Sequence, residues 1–288
     1  MAHHQWRSAV IPVEFDYRRA STVEEAISLL KESAGEGKLL AGGHSLIPLT
    51  KLRLTEPGLL VDVAGIESLT GIREVDGQIK IGACTTHRDL ETSEVLIRAA
   101  PVVARAASKI GDIQVRNRGT IGGSLAHSDP AADLPAVVVA VGAEILISGP
   151  GRTRVVPAEA FFQDLLTVDL ADDEIITAVT VPPVANGAYA KLRQRASHYA
   201  VVGVCAVLDM DGEVCRSARV AATGAATHAQ RLTAVEDELA GSAPTAESIQ
   251  TAAKKAELEN LNEDIHASVA YRAAMLKVFT QRAIEAAL

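Results

Sequence analysis

Apolar positions along the chain recur at two spacings, and the switches between them divide it into short strands and helices. After Ser21-Thr-Val-Glu24, which has the form of a capping box, Val23, Ala26, Ile27 and Leu30 return at helical intervals. Lys38-Leu39-Leu40 then reads as a short strand, and Ser45 can cap a helix that carries Pro48 in an early turn. Leu59–Val63 is a further strand. Ile72–Ile81 predicts a hairpin turning at Asp76-Gly77, a pair suited to left-handed turn conformations. Helices are expected around Arg88–Leu96 and, after Pro101, through Ile110.

The second half has longer strands. Asp133–Val141 is apolar and helical in character, and Pro130 and Pro135 are expected to confine regular helix to its later part. Strands at 143–148 and 152–156 flank Gly149-Pro150-Gly151, and a strand over 174–181 ends at Pro182-Pro183. That proline pair, with Asn186-Gly187 beyond it, is the candidate domain boundary. A strand at Ala188–Gln194, a hairpin of 201–210 and 213–222 turning at Asp211-Gly212, and helical segments from about Ala229 complete the chain. The last helix, Val269–Ile284, sets Ala273, Leu276, Phe279 and Ala283 on one stripe and Arg272, Lys277 and Arg282 away from it.

Two glycine-rich stretches interrupt this pattern: Ala41-Gly42-Gly43-His44-Ser45 and Gly119-Thr120-Ile121-Gly122-Gly123-Ser124. Glycine permits positive φ and close approach of the main chain, and successive free N–H groups present partial positive charge to an anion. Each stretch ends in a hydroxyl residue and precedes a predicted helix. Singly, each is compatible with an ordinary tight turn. Together they suggest a clamp for a diphosphate, although neither has the lysine of a P-loop or the spacing of a dinucleotide fingerprint.

Composition narrows the classes. At 288 residues with 48% hydrophobic positions the chain has room for two domains, and a net charge of −8 argues against a nucleic-acid partner. No apolar run approaches the ~18 residues of a membrane span, and Met1-Ala-His-His-Gln-Trp6 is too polar for a signal peptide, so a cytoplasmic location is expected. Cys84, Cys205 and Cys215 are too few and scattered for a disulfide framework or an iron–sulfur site, and read as small buried hydrophobes.

The run from Thr120 to Ala136, with Ser-Asp-Pro-Ala-Ala-Asp-Leu-Pro in its second half, resembles the second FAD-binding segment of the FAD-binding subunits of molybdenum hydroxylases, the carbon monoxide dehydrogenase and xanthine dehydrogenase flavoproteins among them. Lys38–Arg53 resembles the first segment, and the likeness extends from Phe15 to Arg272. It implies an α+β flavoprotein with a two-lobed FAD-binding domain of the vanillyl-alcohol-oxidase (PCMH) type at 1–183, lobes at about 1–60 and 61–183, and a C-terminal α+β domain with a small antiparallel sheet at 184–288.

The resemblance also implies roles. FAD would be held non-covalently by Ala41, Gly42, Gly43, His44, Ser45, Thr120, Ile121, Gly122, Gly123 and Ser124, with His44 building the loop and attaching nothing. Ser124 stands where many relatives have Asn, and keeps a hydroxyl but loses an amide donor. Asp133 would accept ribose hydroxyls, or else cap a helix; Lys191 would place a cation near the flavin ring, or else be a solvated strand lysine. Tyr199 would stack on the ring or pack in the core, and Ile110 and Ile176 would touch FAD or serve as core. No catalytic residue is assigned. The molybdenum cofactor would lie in a large partner subunit and 2Fe-2S clusters in a small one, in a dimer of heterotrimers, with electrons leaving to an external acceptor. A self-sufficient flavin oxidase and a non-redox module for a nucleotide diphosphate are the rival classes.

Overall fold

The computed structural model describes residues 11–288, so the polar stretch Met1–Trp6 lies outside the described residues. β1 (Asp16–Arg19), α1 (Val23–Glu32), β2 (Gly37–Leu40), α2 (Leu46–Lys51) and β3 (Leu59–Asp62) form a parallel three-stranded sheet, ordered β1-β3-β2, and its helices. The cap of α1 sits one residue later than expected. Thr22 accepts the Glu25 N–H at 3.1 Å, and the Glu25 carboxylate accepts from the Ser21 N–H at 2.7 Å, because Thr22-Val-Glu-Glu25 repeats the same spacing. Ala26, Ile27 and Leu30 of α1 pack on Val61, Val63, Ile66 and Leu69.

β4 (Ile72–Val75) and β5 (Gln78–Gly82) form the expected hairpin, with Asp76 and Gly77 at φ 50° and 74°. Six helices follow: α3 (His87–Thr92), α4 (Glu94–Ala99), α5 (Pro101–Ser108), α6 (Ile113–Arg116), α7 (Ile121–His127) and α8 (Leu134–Ala140). Pro135 does not delay α8. It occupies the first turn, where its missing N–H has no helical acceptor to lose, and so the helix starts at Leu134. Then come β6 (Glu144–Gly149), β7 (Arg152–Pro157), α9 (Ala158–Phe161), the ribbon of β8 (Phe162–Asp164) and β9 (Thr167–Val168), and β10 (Ile175–Val181). β4-β5-β10-β6-β7 is an antiparallel sheet whose inner face, with Ile79, Ile81, Ile145 and Val179, packs on buried residues of α5, α7 and α8.

The C-terminal sheet is antiparallel, in order β11 (Asn186–Arg193), β12 (Ala200–Asp211), β13 (Val214–Thr223) and β14 (Gln230–Arg231), the last a two-residue strand where only helix was expected. α10 (Thr233–Leu239), α11 (Ala246–Lys254) and α12 (Val269–Ala287) follow. β12 is almost continuously apolar because both its faces are buried. Val202, Val204 and Ala206 join the core under α12, whereas Cys205 joins the core around α5 and α8. All three cysteines are free and buried. No described helix is long and apolar enough to cross a membrane.

Arg272 corrects the helical stripe drawn from sequence. It is 3% exposed, donates to the carbonyls of Val201 and Gly224 at 2.6 and 2.7 Å, and pairs with Asp264 at 2.6 Å. Two carbonyls left over by the sheet require a donor there, and a guanidinium supplies several.

Glu174, just before β10, is buried against Arg152 and Arg154 at 2.9 and 2.7 Å. Hydrogen bonding from Arg154 is the main force holding its carboxyl at about 2, below the ordinary 4.5, with the Ala171 N–H and the two guanidinium charges assisting. A carboxyl depressed on folding stabilises the protein above its unfolded value, and that contribution disappears as pH falls from about 4.5 towards 2. Urea titrations should therefore show Arg154→Met less stable than the parent at pH 6, with the difference shrinking towards pH 2.5; a gap independent of pH would refute the linkage.

Candidate functional site

A cleft of about 880 Å³ separates the parallel sheet from the antiparallel one, and both glycine loops line it. The first loop connects β2 to α2, with Gly43 at φ 73°. Its glycines have different causes. A Cβ on Gly42 would lie 2.1 Å from the Arg118 carbonyl oxygen and 2.9 Å from Gly119 Cα, so this position meets the backbone of the second loop directly. Gly43 supplies the left-handed turn. The N–H groups of Gly42, Gly43, His44 and Ser45 find no acceptor among the described residues. Ser45 occupies the cap position of α2 without a capping hydrogen bond, which also leaves its hydroxyl free. His44 is exposed, and its Nδ1 bonds the Gly42 carbonyl at 3.1 Å, a local tie that shapes the loop.

The second loop is wired differently. Ile121 and Gly122 donate to the carbonyls of Thr85 and Ala83 at 3.0 and 2.8 Å, and Gly123 donates to Thr120 Oγ1 at 3.1 Å. Of its backbone donors only the Thr120 N–H has no acceptor among the described residues. What it offers a ligand is that one N–H, the proton of the Thr120 hydroxyl and the unpartnered hydroxyl of Ser124, all from residues of the cleft wall. Gly122 is required by contact with Ala83, whose Cβ an added methyl would meet at 2.6 Å, and Ile121 is fully buried behind the cleft.

Ala41, Ile110, Asp133, Ile176 and Tyr199 also line the cleft, while Lys191 does not. Asp133, 4% exposed, is engaged from behind: the Lys191 ammonium lies 2.8 Å from it and the Tyr189 hydroxyl donates to it at 2.5 Å. Burial pushes its carboxyl up, and Lys191 pulls against that shift. Asp133 makes no cap bond to α8, so the capping alternative falls. Lys191 also donates to the Lys109 carbonyl at 2.8 Å and is sealed from solvent, which rules out a solvated lysine and places its charge behind the cleft wall. Tyr199 is 50% exposed and not a core residue. A tight loop presents it, in which Gln194 Oε1 accepts from the Ala196 and Ser197 N–H groups and His198, at φ 61°, contacts the Gly111 carbonyl.

Sequence reasoning missed His87, Cys84 and Glu174, which also line the cleft. None lies within a glycine motif, and only the pairing of Thr86 with Thr120, far apart in sequence, brings the first two to the second loop. Among the described residues no cluster of His, Cys, Asp or Glu is arranged to hold a metal.

Residues 13–184 match the family described as FAD binding domain in molybdopterin dehydrogenase. The chain belongs to this family of FAD-binding oxidoreductase subunits. Residues 187–287 match the CO dehydrogenase flavoprotein C-terminal domain. The chain is similar to the carbon monoxide dehydrogenase medium chain of Hydrogenophaga pseudoflava, 39% identical over 282 residues that cover 96% of this chain and 98% of that one. It is also similar to 6-hydroxypseudooxynicotine dehydrogenase complex subunit alpha of Paenarthrobacter nicotinovorans, 35% identical with coverage of 96% and 95%. A solved structure of the Hydrogenophaga pseudoflava carbon monoxide dehydrogenase superposes with a TM-score of 0.93 at 40% identity, over 96% of this chain and 98% of that chain.

The residues present fit FAD. The free N–H groups of the first loop and the hydroxyls across from it suit a diphosphate, and the cleft has the size of a cofactor site, roughly 300–1,000 Å³. Because Gly42 touches backbone while Gly123 faces only Thr120 Oγ1, the two should respond unequally to a methyl group. Gly42→Ala should destabilise the protein by about 2 kcal/mol or more and lower its flavin content, whereas Gly123→Ala, whose methyl meets only the Thr120 hydroxyl, should cost less stability and lower flavin content alone. Equal losses by urea unfolding and flavin absorbance would contradict this assignment of the loop contact.

Proposed function

We propose that this chain binds one FAD non-covalently and serves as the electron-transfer subunit of a three-part molybdenum hydroxylase in the cytoplasm. A large partner subunit carries the molybdenum cofactor, a small one carries 2Fe-2S clusters, and electrons arriving from those clusters leave this chain for an external acceptor, within a dimer of heterotrimers. The observation that carries the reading is the run of N–H groups from Gly42 to Ser45 with no acceptor among the described residues, opposite the hydroxyls of Thr120 and Ser124 in one cleft. Bound FAD supplies the redox chemistry. The chain's own residues position it: the two loops hold the diphosphate, Ile110 and Ile176 provide apolar wall, Tyr199 offers a face for stacking, and Asp133 stands ready to accept a ribose hydroxyl while keeping Lys191 compensated.

Support for the partners comes from the relatives, named as a medium chain and as a subunit of a dehydrogenase complex. Their names differ in substrate, which fits a division of labour in which substrate choice belongs to the large partner. The domain division follows the same reading, with residues 1–183 forming the cofactor domain, lobes at about 1–60 and 61–183, and residues 184–288 the C-terminal one.

Acid precipitation of the purified chain should release its flavin entirely as FAD; colour retained in the pellet, or FMN in the supernatant, would overturn the assignment. The isolated chain should show no substrate-dependent bleaching of its flavin, and adding the two partner subunits should restore it. Turnover by the chain alone at the rate of the full complex would favour a self-sufficient oxidase instead.

A further inference from the structure

We propose that His87 is a cofactor-binding residue, a ring nitrogen of which hydrogen-bonds the diphosphate held between the two glycine loops. This rests on the FAD reading above. His87 opens α3 and is only 5% exposed, yet its ring forms part of the cleft wall. Its backbone N–H bonds the Gly119 carbonyl at 2.9 Å, and the ring stands so close to the second loop that a Cβ on Gly119 would lie 2.8 Å from Cδ2 and Nε2.

Neither ring nitrogen has a hydrogen-bond partner among the described residues; Nδ1 is closed off from solvent, so Nε2, on the side of Gly119, is the nitrogen that a ligand in the cleft would meet. A ring nitrogen left without a partner in the wall of a cleft is a group that proteins seldom keep without a use. Two groups capable of positive charge face the ring, His44 from the first loop and Arg116 from α6; the latter is paired with Glu91 at 3.0 Å. Burial, aided by those two, pushes the imidazole down to about 4, so at neutral pH it is uncharged and carries one N–H. A neutral donor lacking a partner, set where the two glycine loops meet, matches an anionic ligand atom. An apolar ligand would leave it unsatisfied.

The test uses the full chain stripped of flavin and titrated with FAD. His87→Leu should bind FAD at least about tenfold more weakly. The thermal midpoint of its flavin-free form should not fall below that of the parent, since the variant removes an orphaned polar group. His87→Gln, which retains an N–H donor, should recover most of the affinity. In nitrogen NMR of the labelled parent, the His87 ring resonances should shift on saturation with FAD. Parent-like affinity in His87→Leu would reduce His87 to a wall residue. Should that variant fold poorly, ring resonances unchanged by FAD would overturn the proposal equally. A parent chain that binds no FAD at all would instead refute the cofactor assignment.

Discussion

The site depends on a contact between two pieces of main chain. Gly42, in the loop leaving the parallel sheet, lies against the Arg118 carbonyl and Gly119 Cα of the loop that enters α7. No side chain fits between them. The two lobes therefore close on each other at the point where a ligand with two phosphates would be gripped, and the spacing across the grip is set by van der Waals contact of backbone atoms, which is stiffer than contact between flexible side chains. Gly119 extends this packing to His87 and Gly122 extends it to Ala83, so a short string of glycines joins both lobes.

Behind the cleft lies a second constraint, electrostatic in kind. Asp133 and Lys191 form a buried ion pair, and such a pair is tolerated only when further hydrogen bonds satisfy both partners. Tyr189 bonds the carboxylate and the Lys109 carbonyl accepts from the ammonium, while the Lys109 side chain in turn bonds the Tyr189 carbonyl. The four residues come from β11, from the position just before α8 and from the one just after α5, which ties the cofactor lobe to the C-terminal sheet through polar contacts as well as apolar ones.

Local chemistry made much of this legible in the sequence. Asp76-Gly77 and Asp211-Gly212 announced their hairpins, and the two glycine loops were visible as interruptions of the hydrophobic pattern. What the chain alone could not display was which N–H groups remain free. The second loop looks as rich in donors as the first, but Thr85 and Ala83, brought in by the Thr86–Thr120 bridge, take the Ile121 and Gly122 N–H groups, and only the Thr120 N–H is left over. Arg272 misled for the same reason: a charged residue on a helix is expected to face water, and only the tertiary arrangement reveals two carbonyls waiting for it. Ser21 and Thr22 offered the same cap one residue apart, a degeneracy that side-chain geometry resolves.

The carbonyls of the segment Pro130–Ala132, which leads into Asp133, are held by the C-terminal domain, while its N–H groups at Ala131 and Ala132 turn back onto Asp129. Ala200 and Gly224 donate to the Ala131 and Pro130 carbonyls at 3.1 and 2.6 Å, and the Thr223 hydroxyl lies 2.8 Å from both the Pro130 and Ala132 carbonyls. Arg272 fixes the Val201 and Gly224 carbonyls from the other side. The joint between residues 184 and 187, where one family match ends and the next begins, is therefore not a seam along which the protein can be cut into working modules. A fragment ending there would lose the frame around Asp133 and leave three carbonyls unpaired.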